Sequence, residues 1–247
     1  METLLHSPTF VINLPRCRDR VPYVREQLKR AGYTQVSIFN AVDGLNSSSV
    51  QESLQLFHYP KLARIQPGAI GCLLSHMRLL KYIIESEIPN ANVFEDDIHF
   101  HPEWDMLSKH YYDRTPEYEV LFIGNQLENS ETLPEITHEY CYCTHAYTVT
   151  LEGAKKMLNA ILQHKELCEI DCLLRNILQK NKSEGISPPF VLYSWNGTKY
   201  PCSYNTSLPN HCRNTGLVFQ NMNFISQIDD SKIIRDKVRN FKKMNIL

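Results

Sequence analysis

The chain has 247 residues, 43% of them hydrophobic and 21% charged, which suits one globular domain with a sizeable core. Its formal net charge of −1 excludes the overall positive field with which proteins attract nucleic acid, so an anionic partner must be bound locally. No apolar run reaches the roughly 18–20 residues that span a bilayer, and we therefore expect no transmembrane helix.

The first 66 residues predict the opening of an α/β sheet. Apolar runs of strand length flank a stretch in which apolar residues recur at helical spacing, and a turn follows. We expect these elements to be a strand, a helix, a strand and a turn, at residues 9–14, 19–31, 36–39 and 43–44. Residues 46–66 are polar and aperiodic, and we expect a loop or lid there.

Helices and strands alternate through the middle of the chain. Periodicity predicts helices at residues 151–162 and 172–178, and a strong helix that follows Pro67 and Gly68 and carries an apolar stripe from Ile70 to Ile84. It predicts strands at residues 92–94 and 120–123, and a pair of strands within residues 140–150. Residues 185–225 show little periodicity and predict a long loop region that closes over a site. The basic stretch from Ser231 predicts a surface helix, with contact to a membrane surface as the alternative.

Three consecutive carboxylates, Glu95, Asp96 and Asp97, follow the predicted strand at residues 92–94. Side chains two apart on an extended chain face the same side, so Glu95 and Asp97 are expected to converge while Asp96 points away. At the carboxyl end of a strand in an open α/β sheet, such a pair opens into the crevice where ligands bind. Convergent oxygens suit Mn²⁺ or Mg²⁺, which would grip a diphosphate. A solvated acidic turn is the alternative.

Other phosphate-binding and hydrolytic motifs are missing from the sequence. It contains no GxxxxGK[ST] loop and no GxGxxG after a strand, which argues against P-loop and standard dinucleotide folds. It contains no Gly-x-Ser-x-Gly elbow, which argues against a serine hydrolase of the α/β type.

Several segments together resemble glycosyltransferase family 25, which includes lipooligosaccharide and collagen galactosyltransferases. They are VINLPRCRDR (11–20), FNAVDG (39–44), PGAIGCLLSHMRLL (67–80), NVFEDDI (92–98), THAYTVTLEGAKKML (144–158) and EIDCLL (169–174). The resemblance implies a GT-A-type nucleotide-sugar-binding fold of the α/β class, with a mixed central sheet flanked by helices. It also implies a UDP-sugar donor, usually Mn²⁺, and inversion at the anomeric carbon.

The same resemblance suggests a set of donor-binding residues. They are Asn13, Leu14, Arg20, Asp43, Gly44, Ser75, His76 and Asp96. Arg20 would contact the donor phosphate or base, or else be a solvated arginine of the first helical turn. The Asp43–Gly44 turn would border the nucleotide, or else be a plain turn where glycine supplies a positive φ. His76 could donate a hydrogen bond to a sugar hydroxyl or a carboxylate, or else be a structural histidine whose hydrogen bonds are satisfied within the protein.

The resemblance also suggests metal ligands and a catalytic base. Asp97 is the first candidate for the metal, with Glu95 as its partner. Asp171 is the candidate base that deprotonates the acceptor hydroxyl, and Glu169 is the second choice. An N-cap of the helix from residue 172 would explain Asp171 equally well. The C-terminal region resembles the family only loosely, and neither Ser203 nor His211 can be given a role.

The sequence therefore predicts a single glycosyltransferase domain over residues 1–247. Its predicted parts are a nucleotide-sugar-binding half, an acceptor-side half and a basic tail, at residues 9–130, 131–230 and 231–247. The expected reaction is metal-dependent transfer of galactose, or next glucose, from a UDP-sugar to a glycan, lipid-linked or protein acceptor. A non-catalytic glycan- or partner-binding domain and a nucleotidyltransferase are the alternatives. The scattered cysteines favour a cytoplasmic setting with membrane contact through the tail, or the ER lumen if a signal was removed.

Overall fold

The computed structural model describes residues 2–58, 65–128, 135–138, 142–164, 168–196, 212–214 and 216–220. The helices within these ranges are α1 (Glu2–His6), α2 (Val21–Arg30), α3 (Ser47–Leu56), α4 (Pro67–Glu85), α5 (Trp104–Arg114), α6 (Leu151–Gln163) and α7 (Ile170–Ser183), with a 3₁₀ helix at Pro15–Arg20. The strands are β1 (Thr9–Asn13), β2 (Val36–Asn40), β3 (Asn90–Glu95), β4 (Ile98–Phe100), β5 (Val120–Glu128), β6 (Ile136–Thr137), β7 (Tyr142–Thr150), β8 (Leu192–Trp195), β9 (Cys212–Asn214) and β10 (Val218–Gln220).

A mixed sheet forms the centre of the molecule. Its strand order is β2-β1-β3-β7-β5-β8-β6, with β9 paired to β5. Strand β1 runs parallel to β2 and β3, whereas β7 is antiparallel to both β3 and β5. Strands β4 and β10 form a separate two-stranded antiparallel sheet. The predicted α/β class, with a mixed central sheet flanked by helices, is confirmed.

Helices cover both faces of the sheet, and the core therefore has two parts. Along β1, Phe10 and Ile12 belong to one buried cluster and Val11 to the other. Such alternation with both faces apolar is expected of strands buried on both sides. The first cluster includes side chains of α4, α6 and α7, and the second includes side chains of α2 and α5.

Strand β1 lies at a switch point of the sheet. The chain leaves β1 and returns on one side as β2, then crosses to the other side of β1 as β3. In open α/β sheets, the crevice outside the carboxyl ends of the strands at such a point is where ligands bind. In the register of β1 and β3, Ile12 is the partner of Glu95, so Asn13 and the carboxylate triplet come to the same edge.

The longest helix within the described ranges, α4, follows the prediction closely. It begins with Pro67 at its first turn, a position where the missing proline N–H costs nothing. Twelve of its nineteen residues are buried, among them Leu73, Leu74 and Met77, which are completely inaccessible to solvent. Burying each such side chain contributes roughly 1.5–3 kcal/mol. The helix holds its polar residues Ser75 and His76 inside the protein as well.

The expectation of a loop over residues 46–66 is wrong in part. Helix α3 occupies Ser47–Leu56, and its N-cap is Asn46, whose side-chain oxygen accepts hydrogen bonds from the backbone N–H groups of Ser48 and Ser49. Val50 is fully buried in the core, and the partly buried Leu54 and Phe57 pack against the same cluster. A cap and these few apolar contacts accompany a helix that periodicity does not reveal.

Three other boundaries differ from the prediction. Residues 142–150 form one strand, β7, rather than a pair of strands. This single strand lies between β3 and β5 and pairs with both. Helix α7 is longer than predicted, and it begins at Ile170. The expected long loop over residues 185–225 contains strands β8 and β10, because Leu192 and Val218 are buried in the sheets.

Some predictions fall on residues outside the described ranges. They include the basic helix from Ser231, Ser203 and His211. The division of the chain into two halves and a tail stays a prediction. No helix in the described part of the chain is long and apolar enough to cross a membrane.

Candidate active site

A crevice opens at the carboxyl ends of β1 and β3. Its empty space, including the part that is open to solvent, is about 730 Å³. Its walls come from the segment after β1, the turn after β2, the first half of α4, the triplet after β3 and the end of β10. The lining residues are Ile12, Leu14, Arg16, Arg20, Ala41, Val42, Asp43, Gly44, Leu45, Gly68, Gly71, Cys72, Ser75, His76, Glu95, Asp96, Asp97 and Gln220.

Asp96 is held in a buried network with Asn13, the last residue of β1, and Arg20, which ends the 3₁₀ helix that follows β1. Arg20 donates a hydrogen bond to Asp96 Oδ1 at 2.8 Å, and Asn13 donates one to Asp96 Oδ2 at 2.7 Å. Burial raises the pKa of Asp96, although Arg20 and Asn13 oppose that rise. Arg20 is therefore not the solvated arginine of the alternative interpretation, since only 6% of it is exposed.

Of the three carboxylates in the triplet, Asp97 has the fewest hydrogen-bond and charge partners among the described residues to offset its burial. Its Oδ1 atom is buried and has no hydrogen-bond partner in the part of the chain that the structure describes. Burial raises the pKa of Asp97 to about 8, and the charges of Glu95 and Asp96 contribute, whereas Arg20 opposes them. A carboxylate with this environment favours either a proton or a cation beside it.

Glu95 lies against the polar residues of α4 and β7. Its Oε1 atom is 3.4 Å from His76 Nε2, and it accepts a hydrogen bond from the Thr144 hydroxyl at 3.3 Å. Burial raises the pKa of Glu95, but His76, His145 and Thr144 outweigh that effect and hold it below its ordinary value. Glu95 is thus an ionised acceptor at neutral pH.

The triplet does not continue β3 as an extended chain. Strand β3 ends at Glu95, and Asp96 and Asp97 form a turn before β4. All three side chains line the crevice, so Asp96 does not point away from it. The expected alternation fails because it applies only while the backbone stays extended.

The turn after β2 packs tightly against α4. A Cβ atom added to Gly44 would lie 1.6 Å from the Pro67 carbonyl oxygen, and one added to Gly71 would lie 2.6 Å from the Val42 carbonyl oxygen. Ser75 completes the contact, because its hydroxyl accepts a hydrogen bond from the Val42 N–H at 2.8 Å. Gly44 is therefore required for this close approach and not for a positive φ, which it does not have.

Asp43 and Arg16 form an ion pair at the mouth of the crevice. Asp43 also accepts a hydrogen bond from the Leu45 N–H at 2.9 Å, which fixes the turn. Both side chains are about one-third exposed, so the pair can exchange partners with an incoming ligand at little cost.

Asp171 and Glu169 stand at the start of α7 and are not among the lining residues. Glu169 is the N-cap position, and its side chain makes no capping hydrogen bond. Asp171 lies in the first turn, so the N-cap interpretation is wrong for it, although its Oδ1 accepts from the Cys172 N–H at 2.8 Å. Burial raises the pKa of Asp171, and the charge of Glu95 adds to the rise.

The structure brings most of the predicted donor-site residues to one crevice. Leu14, Arg20, Asp43, Gly44, Ser75, His76, Glu95, Asp96 and Asp97 line it, and Asn13 contacts it through Asp96. Sequence reasoning missed Arg16, Cys72 and Gln220. Cys72 had a recognisable signal, since it precedes His76 by four residues on the same helix. Gln220 had none, because it comes from a region without periodicity.

The residues present fit a hard divalent cation. Asp97 and Glu95 offer carboxylate oxygens to the same crevice, and the buried Asp97 Oδ1 has no partner among the described residues. Oxygen donors are the ligands that Mn²⁺ and Mg²⁺ prefer.

The fold and the crevice define an α/β protein with an acidic crevice at a sheet switch point. A sequence profile described as "Glycosyltransferase family 25 (LPS biosynthesis protein)" matches residues 6–174, more than half of the chain. The chain therefore belongs to glycosyltransferase family 25. The matched range contains the triplet, the α4 motif and the start of α7.

Curated relatives carry related names. The chain is 32% identical over 173 residues to "Procollagen galactosyltransferase 2" of Homo sapiens, covering 61% of this chain and 27% of that protein. It is 28% identical over 176 residues to "Probable inactive glycosyltransferase 25 family member 3" of Rattus norvegicus, covering 64% of this chain and 31% of that protein. The chain thus spans less than a third of the length of these two relatives.

Among solved structures, the chain is similar to that of a glycosyltransferase involved in the glycosylation of the major capsid of PBCV-1. The identity is 10% and the TM-score 0.42, over 98% of this chain and 100% of that chain. A likeness of this strength supports no conclusion about function.

Proposed function

We propose that the protein is a metal-dependent, inverting glycosyltransferase that moves a hexose from a UDP-sugar to an acceptor hydroxyl. The observation that carries the proposal is the crevice at the switch point, where three carboxylates converge and Asp97 keeps a buried oxygen without a partner among the described residues. Membership of family 25 supports the reaction class. Galactose is the first choice of sugar, because the relatives are named galactosyltransferases, and glucose is the second.

Donor binding is assigned to the crevice. Asp97 and Glu95 would hold Mn²⁺ or Mg²⁺, which when bound supplies the positive charge that stabilises a departing diphosphate. Arg16 adds a positive charge at the mouth of the crevice, and Arg20 fixes the position of Asp96 through a hydrogen bond. The Asp43–Gly44 turn would border the nucleotide, and Ser75 holds that turn against α4.

Acceptor activation is assigned to Asp171. As the acceptor oxygen forms its bond to the anomeric carbon, its proton passes to the Asp171 carboxylate and the bond from that carbon to the UDP oxygen breaks. Attack opposite the leaving group inverts the anomeric configuration. The raised pKa of Asp171 suits a general base, because proton affinity grows as the pKa approaches the working pH. Glu169, two residues earlier, is the second candidate.

The acceptor is proposed to be a protein, a glycan or a lipid-linked sugar. The names of the curated relatives favour collagen-type protein acceptors, and the description of the family profile favours lipopolysaccharide. A protein acceptor would place the enzyme in the ER lumen, whereas a lipid-linked acceptor suits a cytoplasmic enzyme that contacts the membrane through residues 231–247.

The first experiment measures UDP release from UDP-galactose and UDP-glucose, with and without Mn²⁺. We expect metal-dependent release by the wild type and a loss of at least about 100-fold in Asp97→Asn, as for other removed transition-state charge stabilisers. Asp113→Asn, which changes an exposed aspartate on α5, is the matched control and should behave as the wild type. Unchanged turnover in Asp97→Asn would refute the metal role. UDP binding without any release would instead indicate a non-catalytic domain.

The second experiment separates the base from the donor site. Asp171→Asn is expected to lower kcat for transfer by about 10²–10⁴-fold while leaving the KM for the UDP-sugar nearly unchanged. Glu169→Gln is the comparison. If Glu169→Gln shows the large loss and Asp171→Asn does not, the base has been assigned to the wrong carboxylate.

A further inference from the structure

We propose that the floor of the crevice contains a second cation site, selective for zinc and built from Cys72, His76 and Glu95. Each residue offers one ligand atom, namely the sulfur of Cys72, a ring nitrogen of His76 and a carboxylate oxygen of Glu95, and the three atoms lie within 4.8 Å of one another. The site differs from the proposed Mn²⁺ site in two of its ligands, because it uses a thiol and an imidazole where the Mn²⁺ site uses carboxylate oxygens.

The separations match a zinc site with little adjustment. Glu95 Oε1 is 3.4 Å from His76 Nε2 and 4.0 Å from Cys72 Sγ. With zinc bonds of about 2.3 Å to sulfur and about 2.0–2.2 Å to nitrogen or oxygen, tetrahedral ligands lie roughly 3.3–3.6 Å apart. The 3.4 Å separation already fits this range and the 4.0 Å separation exceeds it by about half an ångström, while the bound of 4.8 Å on the Cys72–His76 pair means that side-chain movements of up to roughly 1 Å bring the three atoms into coordination.

The local structure orients these ligands. Cys72 and His76 are four residues apart on α4 and therefore occupy the same helix face. The other ring nitrogen of His76, Nδ1, is 3.1 Å from the Tyr147 hydroxyl, and Thr144 donates a hydrogen bond to Glu95. Such outer contacts fix the ring and the carboxylate in the way that metal-binding histidines usually require.

The donor set selects the metal. Sulfur and imidazole ligands favour Zn²⁺ over Mn²⁺ or Mg²⁺, which prefer oxygen. Cys72 and Glu95 are only partly buried and line the crevice, so a water molecule or a ligand in the crevice could supply a fourth donor. Three protein ligands with an open fourth position are typical of zinc sites that exchange with solvent or substrate.

The test uses untagged wild-type protein with Co²⁺ as a spectroscopic substitute for Zn²⁺. One equivalent of Co²⁺ is expected to give a thiolate-to-metal charge-transfer band in the near ultraviolet, which Zn²⁺ then abolishes by displacement. Cys72→Ser is expected to lose the band and to bind zinc at least about 100-fold more weakly in competition with a chelator. Cys168→Ser, a partly buried thiol outside the crevice, is the matched control and keeps the band.

Two further measurements make the result independent of the proposed function and of variant folding. Asp97→Asn removes the proposed Mn²⁺ ligand and is expected to keep the cobalt band. In the wild type, one equivalent of Zn²⁺ is expected to slow alkylation of Cys72 and not of Cys168, measured by peptide mass spectrometry. The zinc site is refuted if the wild type gives no band, if Cys72→Ser keeps it, or if zinc leaves Cys72 alkylation unchanged. None of these assays needs a UDP-sugar.

Discussion

Replacing Asp97 with asparagine is expected to stabilise the metal-free protein at neutral pH. Burial, with help from Glu95 and Asp96, raises the pKa of Asp97 from 3.8 to about 8 in the folded protein. Between those two values the folded state keeps a proton that the unfolded chain has lost. The free energy of unfolding therefore falls as the pH rises through this window, which is the opposite of the behaviour of an ion-paired carboxylate.

The size of the effect follows from the shift. Each pH unit inside the window lowers the free energy of unfolding by up to about 1.4 kcal/mol, so from pH 3.8 to pH 7 the loss is on the order of 4 kcal/mol. Asparagine avoids this loss but leaves a buried amide without a partner, which costs about 1–3 kcal/mol. The variant is thus expected to gain about 1–3 kcal/mol at pH 7 and to lose stability near pH 4.

Urea unfolding in the presence of a chelator measures this directly. Wild type, Asp97→Asn and the exposed control Asp113→Asn are compared at about pH 4.5, 6, 7 and 8. These values cover the range between the ordinary pKa of Asp97, 3.8, and its pKa in the folded protein, about 8. The difference between wild type and Asp97→Asn should change sign across the series, while the control stays parallel to the wild type. Mn²⁺ should then stabilise the wild type and not Asp97→Asn, because a ligand stabilises only the state that binds it. Parallel pH profiles for wild type and Asp97→Asn would show that the Asp97 environment has been misjudged.

Three further predictions test the packing around the crevice and its metal chemistry. Gly71→Ala is expected to lower the urea-unfolding free energy by about 1–3 kcal/mol, because its methyl group meets the Val42 carbonyl; helix propensity alone predicts a gain of about 1 kcal/mol. Asn46→Ala removes the cap of α3 and should cost about 0.5–2 kcal/mol in the same assay; no change would mean that α3 does not depend on its cap. Zinc is expected to inhibit Mn²⁺-dependent UDP release, because both cations need Glu95. Cys72→Ser, normalised to its own zinc-free rate, should escape this inhibition, and equal inhibition of both proteins would contradict the shared ligand.

The sequence predicted those parts of the fold whose signal is local and strong. Helix α4 was predicted to within about two residues at each end, since a long apolar stripe defines it, and the structure adds Pro67 and Gly68 to its first turn. Helix α3 was missed, because only Val50 and Ser53 of its ten residues are buried and a period cannot be read from two positions. Strand β10 was missed because it is only three residues long and is defined by its pairing with β4, which lies far away in the sequence.

The candidate site was predicted less completely than the fold around it. Position in a motif was enough to select Glu95, Asp96 and Asp97. It could not assign them different environments, because the partners of each carboxylate come from segments far away in the sequence. Arg20 reaches Asp96 across 76 residues, and Thr144 reaches Glu95 across 49. Long-range pairing of this kind depends on the sheet order and is not visible in any local pattern.

The different environments of the three carboxylates explain how the protein tolerates them and what they are for. Asp96 is neutralised by a buried arginine, and Glu95 is supported by His76 and Thr144. Asp97 has no comparable support within the described structure, and its raised pKa is the energetic consequence. A folded protein under selection for stability alone would be expected to replace such a group, because it must either keep a proton at neutral pH or carry a buried charge without a partner, and both cost free energy. On the proposed function, this cost would favour cation binding, since a divalent ion beside the ionised Asp97 would remove the penalty that the carboxylate imposes on the metal-free protein.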